Sequence, residues 1–223
     1  MTRLLFDPQT LPVESIAGET AVPSEQIAPQ RLRERFASPP AWVPETTDEH
    51  LLREKNATLV HASVLLPIVV RDAGPTLLFT LRTAHLTDHA GQISFPGGRA
   101  EATDSSSIET ALRETEEEVG LARRHIEVIG ELPDYLTGTG YRVTPVVALV
   151  HAPFELNADP FEVAEIFEVP LSFLMDGMNH QRRSVALPDG AGYRTFYAMP
   201  YDRFFIWGAT AGMLRNLFHF LRA

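Results

Sequence analysis

The sequence predicts one α/β domain with a mixed β-sheet, preceded by a proline-rich extension. Apolar runs rich in β-branched residues alternate irregularly with segments of helical spacing, and turn signals typical of hairpins separate some of the runs. The chain has 223 residues, 44% of them hydrophobic, which is enough for one sizeable core. Because the sequence contains no internal repeat and no low-complexity tract, we interpret the part after the extension as one continuous domain.

Residues 1–47 are predicted to form the extension, and residues 48–223 the main domain. Seven of the 17 prolines lie before residue 45, and each proline fixes its own backbone and disfavours helix in the residue before it. Within this segment, Ser24 to Phe36 has the spacing of a short helix that Pro29 interrupts near its start. We expect the extension to lie outside the core of the main domain, so that its deletion leaves a folded protein.

In the main domain, periodicity and turn residues predict strands and two helices. Asp72-Ala73-Gly74-Pro75 is a turn signal between the first two apolar runs. The predicted strands are residues 62–70, 76–81, 93–95, 125–129, 143–150, 183–187 and 194–198, and the predicted helices are residues 105–119 and 209–221.

Composition excludes several classes of function. A net charge of -10 repels polyanions at long range, so nucleic acid is not expected as the main partner, although a bound divalent cation would still allow a small phosphorylated ligand. The absence of cysteine excludes disulfides, thiolate metal sites and a cysteine nucleophile. No apolar stretch approaches the ~20 residues that a membrane helix needs, so we expect a soluble, cytoplasmic protein without a membrane partner. The oligomeric state, including a homodimer, stays open.

The predicted helix at residues 105–119 has a clear core face and an unusual acidic face. Its core stripe is formed by Ile108, Ala111, Leu112, Thr115 and Val119. Glu114, Glu117 and Glu118 fall within an arc of ~100°, because residues three and four apart are neighbours on a helix. These carboxylates repel one another and lie near the helix C-terminus, where the helix dipole disfavours negative charge. Helix stability therefore does not explain them.

An acidic helix face is most often simply solvated, but the flanking glycines favour a functional site here. Gly97 and Gly98 permit a tight backbone loop before the helix, and Gly120 stands where a left-handed helix cap is expected. The tight loop, the acidic helix and the glycine stop form one unit.

These residues resemble the Nudix signature. The matching positions are Gly98, Arg113, Glu114, Glu117, Glu118, Gly120 and Leu121. Asp104 stands where the signature has its first Glu, one extra residue lies between Asp104 and Arg113, and Thr115 replaces an aliphatic residue. The resemblance implies a Nudix-type α/β/α sandwich that hydrolyses a pyrophosphate bond.

The resemblance also implies roles for the acidic residues. Glu114, Glu117 and Glu118 would bind the cations, and Arg113 would orient a carboxylate. Oxygen ligands suit Mg²⁺ or Mn²⁺, either of which lowers the pKa of bound water. For the general base the candidates are Glu114 and two glutamates beyond the helix, Glu162 and Glu165. A surface role is at least as expected for either of the last two.

Residues 78–98, directly upstream, resemble the additional motif of the coenzyme A pyrophosphatase branch of the Nudix family. Arg82, Gly91 and residues 95–98 match the motif, whereas Thr87 stands where it has a second arginine. The resemblance implies hydrolysis of coenzyme A, and of its thioesters, to 3′,5′-ADP and a 4′-phosphopantetheine product. Two alternatives remain: hydrolysis of another nucleotide such as ADP-ribose or NADH, and an inactive ligand-sensing domain.

Coenzyme A also has a 3′-phosphate, which needs a cation or hydrogen-bond donors. Arg82 is the best local donor, because its planar guanidinium suits phosphate oxygens, and His85 and His89 would assist. The Gly97–Gly98 loop would bring backbone close to the substrate. The alternative for Arg82 is a structural salt bridge to the acidic helix, and each histidine is as readily explained by a structural role.

Overall fold

The computed structural model describes residues 6–46, 48, 58–86, 89–187 and 192–223. In this part of the chain the strands are β1 (Ser15–Ile16), β2 (Val60–Val70), β3 (Thr76–Arg82), β4 (Ile93–Ser94), β5 (Gly97–Arg99), β6 (Ile126–Glu131), β7 (Tyr135–Leu136), β8 (Tyr141–His151), β9 (Val163–Pro170), β10 (Gln181–Ala186), β11 (Tyr193–Tyr201) and β12 (Phe204–Trp207). The α-helices are α1 (Pro29–Ala37), α2 (Ser107–Val119), α3 (Leu171–Leu174) and α4 (Gly208–Arg222), and short 3-10 helices cover Ser24–Ile27, Arg123–His125 and Gly177–Asn179.

The larger sheet has the order β4-β3-β2-β8-β6, with β5 paired to β2, β7 to β8 and β9 to β3. Strands β2 and β8 run parallel along their full length, whereas the other pairs in this sheet are antiparallel. The hairpin between β2 and β3 turns at Gly74, which has a φ of 112° that an L side chain rarely adopts. The predicted mixed sheet is confirmed.

The larger sheet separates two layers of helices, because successive residues of a strand point to opposite faces. On one face, Leu65 packs against Ala111 of α2. On the other face, Leu66 belongs to the large core cluster that contains Leu217 and Phe218 of α4. The arrangement confirms the predicted α/β fold with helices on both faces of a mixed sheet.

A smaller antiparallel sheet of order β1-β10-β11-β12 packs on the α4 side. Met199 of β11 and Ile206 of β12 are completely buried in the same cluster as α4. Strand β10 covers all but the last residue of the run predicted at 183–187, and β11 contains the run predicted at 194–198, whereas β9 and β12 were not predicted from the sequence.

The described part of the N-terminal segment packs into the main core. Leu32 of α1 is completely buried and Ile27 nearly so, both within the large core cluster, and β1 pairs with β10. The predicted helix at 24–36 is a 3-10 turn followed by α1, which begins at Pro29 because a helix's first position needs no N–H donor. This packing argues against the expectation that the segment lies outside the core. The boundary predicted between residues 47 and 48 borders residues that are not described.

Among the helices that the structure describes, none combines the length and the apolar character needed to cross a membrane. The longest, α4, has 15 residues, and a span needs about 20.

Candidate active site

Helix α2 presents its carboxylates on an arc that adjoins its core face, with Glu118 buried and Glu117 largely exposed. Ala111, Thr115 and Val119 are completely buried against the sheet, and the Thr115 hydroxyl donates a hydrogen bond of 2.7 Å to the Ala111 carbonyl. The replacement of an aliphatic residue by Thr115 is thus accommodated within the helix. The Ser106 hydroxyl caps the start of α2, and Gly120 ends it with a φ of 68°.

The glycine loop lies directly against the carboxylates. A Cβ on Gly98 would stand 2.4 Å from the Glu114 carboxylate, and one on Gly97 would stand 2.4 Å from the Ser63 carbonyl oxygen. The Gly97 N–H donates a 3.1 Å hydrogen bond to Glu118 Oε2. Both glycines are therefore required sterically, since any side chain would displace a carboxylate or the neighbouring strand.

Arg113 links the acidic groups to one another. Its guanidinium donates to both carboxylate oxygens of Asp104, at 3.0 and 2.9 Å, and to the Arg99 carbonyl oxygen at 3.0 Å. It also donates to Glu114 at 2.9 Å and to Glu117 at 3.1 Å. The pKa of Asp104 is held well below its usual range, chiefly by the hydrogen bonds from Arg113. Asp104 therefore anchors Arg113 despite the extra residue between them in the sequence.

The carboxylates of Glu118 and Glu114 are stabilised less by neighbouring donors than that of Asp104. Burial raises the pKa of Glu118 to about 8. The hydrogen bond from Gly97 and the charge of Arg82 oppose this effect only in part, and Glu162 and Glu114 add smaller repulsion. Burial also raises the pKa of Glu114, against the effect of Arg113. When both carboxyls ionise, the site thus holds more buried negative charge than its own cations neutralise.

The donor set fits a hard divalent cation such as Mg²⁺ or Mn²⁺. Glu114 and Glu118 supply buried carboxylates whose raised pKa values a cation would lower, and Glu117, with 60% of its side chain exposed, lies on the same helix face. Within the described residues, no three carboxylate or imidazole side chains converge closely enough to form a complete metal site. Glu117 instead contacts Arg113.

Arg82, at the end of β3, faces the same carboxylates. Its Nη1 lies 3.6 Å from Glu118 Oε1 and 4.0 Å from Glu162 Oε2. Its buried Nε has no hydrogen-bond partner. The structure thus places Arg82 beside the acidic helix, the arrangement expected if it braces that helix.

The two further glutamates lie in different environments. In β9, Glu165 pairs with Leu81 of β3 and shares the sheet face of Phe167, which stacks on Phe79 in the large core cluster. There it forms an ion pair with Arg203. Its neighbour in the strand, Ile166, packs instead with Val119 of α2. The structure therefore places Glu165 on the face opposite the carboxylates, contrary to a role as general base.

Glu162, in contrast, precedes β9 and interacts with Glu114, Glu118 and Arg82. A bulge between Leu81 and Arg82 separates its environment from that of Glu165. Glu162 is thus the glutamate beyond α2 that joins the site.

The predicted histidines lie on an exposed loop. His85 makes an edge-on contact with Phe161, with ring centroids 4.8 Å apart, and His89 bonds to Gln92 at 2.9 Å within its own loop. Thr87, which replaces the second arginine of the upstream motif, lies outside the described residues.

The loop between β8 and β9 is a part of the site that the sequence did not indicate. The Asp159 N–H donates to the Glu118 carbonyl oxygen at 2.9 Å, and the Asn157 N–H donates to that of Val119 at 2.8 Å. A Cβ on Gly120 would come within 3.0 Å of Asn157. The sequence predicted Gly120 as a helix cap, but its close approach to this loop is visible only in the structure.

Comparisons with known sequences and structures all find Nudix proteins. A sequence model of the NUDIX domain matches residues 60–187. A relative from Photorhabdus laumondii subsp. laumondii, named "Uncharacterized Nudix hydrolase NudL", is 43% identical over 157 residues, which cover 70% of this chain and 82% of the relative. The protein of the same name from Escherichia coli is 43% identical over 162 residues, covering 72% and 83%. A solved structure of a Nudix hydrolase from M. smegmatis, RenU, has 21% identity and a TM-score of 0.43, covering 50% of this chain and 71% of that one.

Proposed function

Because this chain belongs to the Nudix hydrolase family, we propose that it hydrolyses the pyrophosphate bond of coenzyme A, and of coenzyme A thioesters. At the family level, the chain is a pyrophosphatase that acts on a substrate of the nucleoside diphosphate type. The proposed products are 3′,5′-ADP and 4′-phosphopantetheine, or its acylated form from a thioester. One water is consumed, its oxygen going to one of the two phosphorus atoms.

The observation that supports this reaction most is the excess of buried negative charge on α2. Glu118 has 5% of its side chain exposed and Glu114 17%, and burial raises the pKa of both. Such an arrangement is unfavourable in the free protein and becomes favourable when a divalent cation is bound. Glu114, Glu117 and Glu118 would hold this cation, which polarises a phosphoryl oxygen and acidifies water when bound.

The chain's own residues would orient and activate the reactants. Arg113, fixed by Asp104, holds the Glu114 carboxylate against the Gly98 backbone. Glu162 has 42% of its side chain exposed and lies in the field of the other carboxylates, so it can accept a proton from water at the edge of the site. We assign the general base to Glu162 rather than to Glu165.

The coenzyme A assignment is supported by the upstream motif, of which Arg82 and the Gly97–Gly98 loop border the carboxylates. Its test is turnover of coenzyme A, 3′-dephospho-coenzyme A, ADP-ribose, NADH and a dinucleoside polyphosphate, each with Mg²⁺ and with Mn²⁺. We expect coenzyme A to be cleaved most efficiently, with 3′,5′-ADP and 4′-phosphopantetheine identified by mass. If another nucleotide has a higher kcat/KM, that nucleotide replaces coenzyme A as the proposed substrate. Inactivity on the whole panel would favour a ligand-sensing domain.

Arg82 can be assigned by comparing two of these substrates. Coenzyme A and 3′-dephospho-coenzyme A share the pyrophosphate but differ in the 3′-phosphate. Since Arg82 lies 3.6 Å from Glu118, we propose that it acts at the pyrophosphate and its carboxylates. Arg82→Ala should then lower kcat on both substrates alike. A rise in KM of about 10- to 100-fold for coenzyme A alone would assign Arg82 to the 3′-phosphate instead.

A further inference from the structure

Phe161 is an exposed aromatic residue at the edge of the carboxylate site. The residue is 63% exposed, although burial of so large an apolar side chain would be favourable. Single exposed apolar residues are common on proteins, so exposure alone indicates nothing. The position of Phe161, between the loop anchored on α2 and the proposed base, is what distinguishes it.

The backbone around Phe161 is held firmly. The Thr83 hydroxyl donates to the Phe161 carbonyl oxygen at 2.7 Å, and the Phe161 N–H donates to Asp159 Oδ1 at 2.8 Å. The Thr83 N–H donates to the carbonyl oxygen of Glu162 at 2.9 Å. The exposed ring is therefore displayed by a backbone that is tied to β3 on one side.

On its other side the same backbone is tied to the helix that bears the carboxylates. Asp159, which accepts from Phe161, donates its own N–H to the carbonyl oxygen of Glu118. Glu162, the next residue after Phe161, has its carboxylate 4.0 Å from Arg82. The backbone that bears the ring thus has a fixed position relative to the place where the pyrophosphate would be cleaved.

His85 completes a second side of this aromatic surface. Its ring meets that of Phe161 edge-on at 4.8 Å between centroids, so the two rings form a corner. An aromatic face that is exposed, carried by an anchored backbone and beside a phosphate site suits stacking with a planar base. Purines offer a larger stacking area than pyrimidines, and a purine would lie on Phe161 with its edge towards His85.

We propose that Phe161, supported by His85, is the base-stacking platform of the enzyme and binds the adenine of its nucleotide substrate. The choice of adenine rests on the proposed function, whereas stacking as such requires only a nucleotide. The platform would determine the preference for purine over pyrimidine substrates, independently of the groups that contact phosphate.

The test is calorimetric binding of ADP and of UDP, which share the diphosphate and differ in the base, to the full chain with Mg²⁺. The wild type should prefer ADP. Removing one base–aromatic stack costs about 1–3 kcal/mol, so Phe161→Ala should weaken ADP binding about 5- to 100-fold and largely abolish the preference over UDP. Phe161→Trp should retain the affinity for ADP and the preference for ADP over UDP. Tyr193→Ala, which removes an aromatic residue of similar exposure in the smaller sheet, is the matched control and should bind both ligands as the wild type does.

Unchanged ADP affinity in Phe161→Ala, or equal losses of affinity for ADP and UDP, would overturn the proposal that Phe161 is the base-stacking platform. The thermal unfolding midpoints of all variants show whether a loss comes from misfolding, and Phe161→Trp keeps the test valid if the alanine variant is unstable. Failure of the proposed function is separate, because it is measured as wild-type turnover of coenzyme A. If the enzyme prefers another adenine nucleotide, the assignment of coenzyme A as substrate fails, whereas the proposal that Phe161 stacks on the base still stands.

Discussion

Two clusters of carboxylates, one around Arg215 and one on α2, differ in how far neighbouring groups of the protein neutralise their negative charge. Arg215, with 3% of its side chain exposed, binds Glu19 at 2.8 Å and Glu45 at 3.0 Å. Although burial raises the pKa of Glu45, hydrogen bonds from His219 and Tyr197 and the charge of Arg215 hold it at about 2. Every charge in this cluster has a partner inside the protein.

On α2 the balance is reversed. Arg113 is shared among Asp104, Glu114 and Glu117, and Glu118 is left with Arg82 at 3.6 Å and a pKa of about 8. The Arg215 cluster is thus complete without a ligand, whereas the α2 cluster would be completed by the bound cation that we propose. Uncompensated buried charge marks the functional cluster of the two.

The largest effect is expected from removing the charge of Glu118. Glu118→Gln should lower kcat at least about 10²-fold, because the cation loses a ligand that stabilises the transition state. The unfolding midpoint of the protein in EDTA should stay near that of the wild type, because without a cation the raised pKa keeps Glu118 mostly protonated and the amide replaces a neutral carboxyl. Glu116→Gln, on the same helix but 51% exposed, is the control and should change neither quantity appreciably. Near-full Mg²⁺-dependent activity of Glu118→Gln would remove Glu118 from the cation site.

The opposite outcome is expected in the Arg215 cluster. Arg215→Leu should lower the free energy of unfolding by about 3–5 kcal/mol, because the carboxylates of Glu19 and Glu45 would lose their buried partner. Denaturant unfolding of the two proteins at neutral pH measures this. The remaining folded fraction should bind Mg²⁺ and turn over substrate normally. A stable variant with impaired kcat would instead mean that Arg215 serves the active site.

The Arg215 cluster should also make stability depend on pH. The pKa of Glu45 is lowered from 4.5 to about 2, so its contribution is fully present above pH 4.5 and is lost as the pH falls towards 2. This contribution is about 3 kcal/mol. The drop in unfolding free energy between pH 6 and pH 2 should therefore be smaller in Glu45→Gln by that amount. Equal drops in both proteins would show that Glu45 is not the titrating group.

Part of this molecule could be predicted from local sequence. The core stripe of α2 and its glycine cap lie within 16 residues, and the structure confirms a helix at Ser107–Val119 that ends at Gly120. The three carboxylates on one arc follow from the same helical period. Their uses as ligands remain predictions, since periodicity fixes where a side chain lies but not what it binds.

The rest depends on contacts between distant segments. The Arg215 cluster joins Glu19, Glu45 and Tyr197, which lie in three distant segments of the chain, so no local pattern indicates it. The proline-rich composition of the N-terminal segment gave no sign that Leu32 would be buried. The sheet face of Glu165 depends on the register of β9 against β3, and a shift of one residue would reverse it.

A moderate effect is expected at Glu162. If it accepts the proton from water, Glu162→Gln should lower kcat about 10²-fold, the lower end of what general base catalysis contributes. The KM should change less than kcat, since the group acts on water rather than on the bound nucleotide. A flattened pH profile of kcat would accompany the loss. An unchanged kcat would return the assignment of the base to Glu114.

The smallest effect is expected at Glu165, three residues further along. Its carboxylate meets Arg203 on the opposite sheet face, and Arg203 also lies 4.4 Å above the ring of Phe204. Glu165→Gln keeps the size of the side chain and can still accept a hydrogen bond from Arg203, while exposed ion pairs contribute little to stability. Both kcat and the unfolding midpoint should match those of the wild type. Because Glu162→Gln is an identical chemical change only three residues away, the contrast between the two variants tests the register itself. If Glu165→Gln were the slower enzyme, β9 would have to pair with β3 so that Glu165 faces α2.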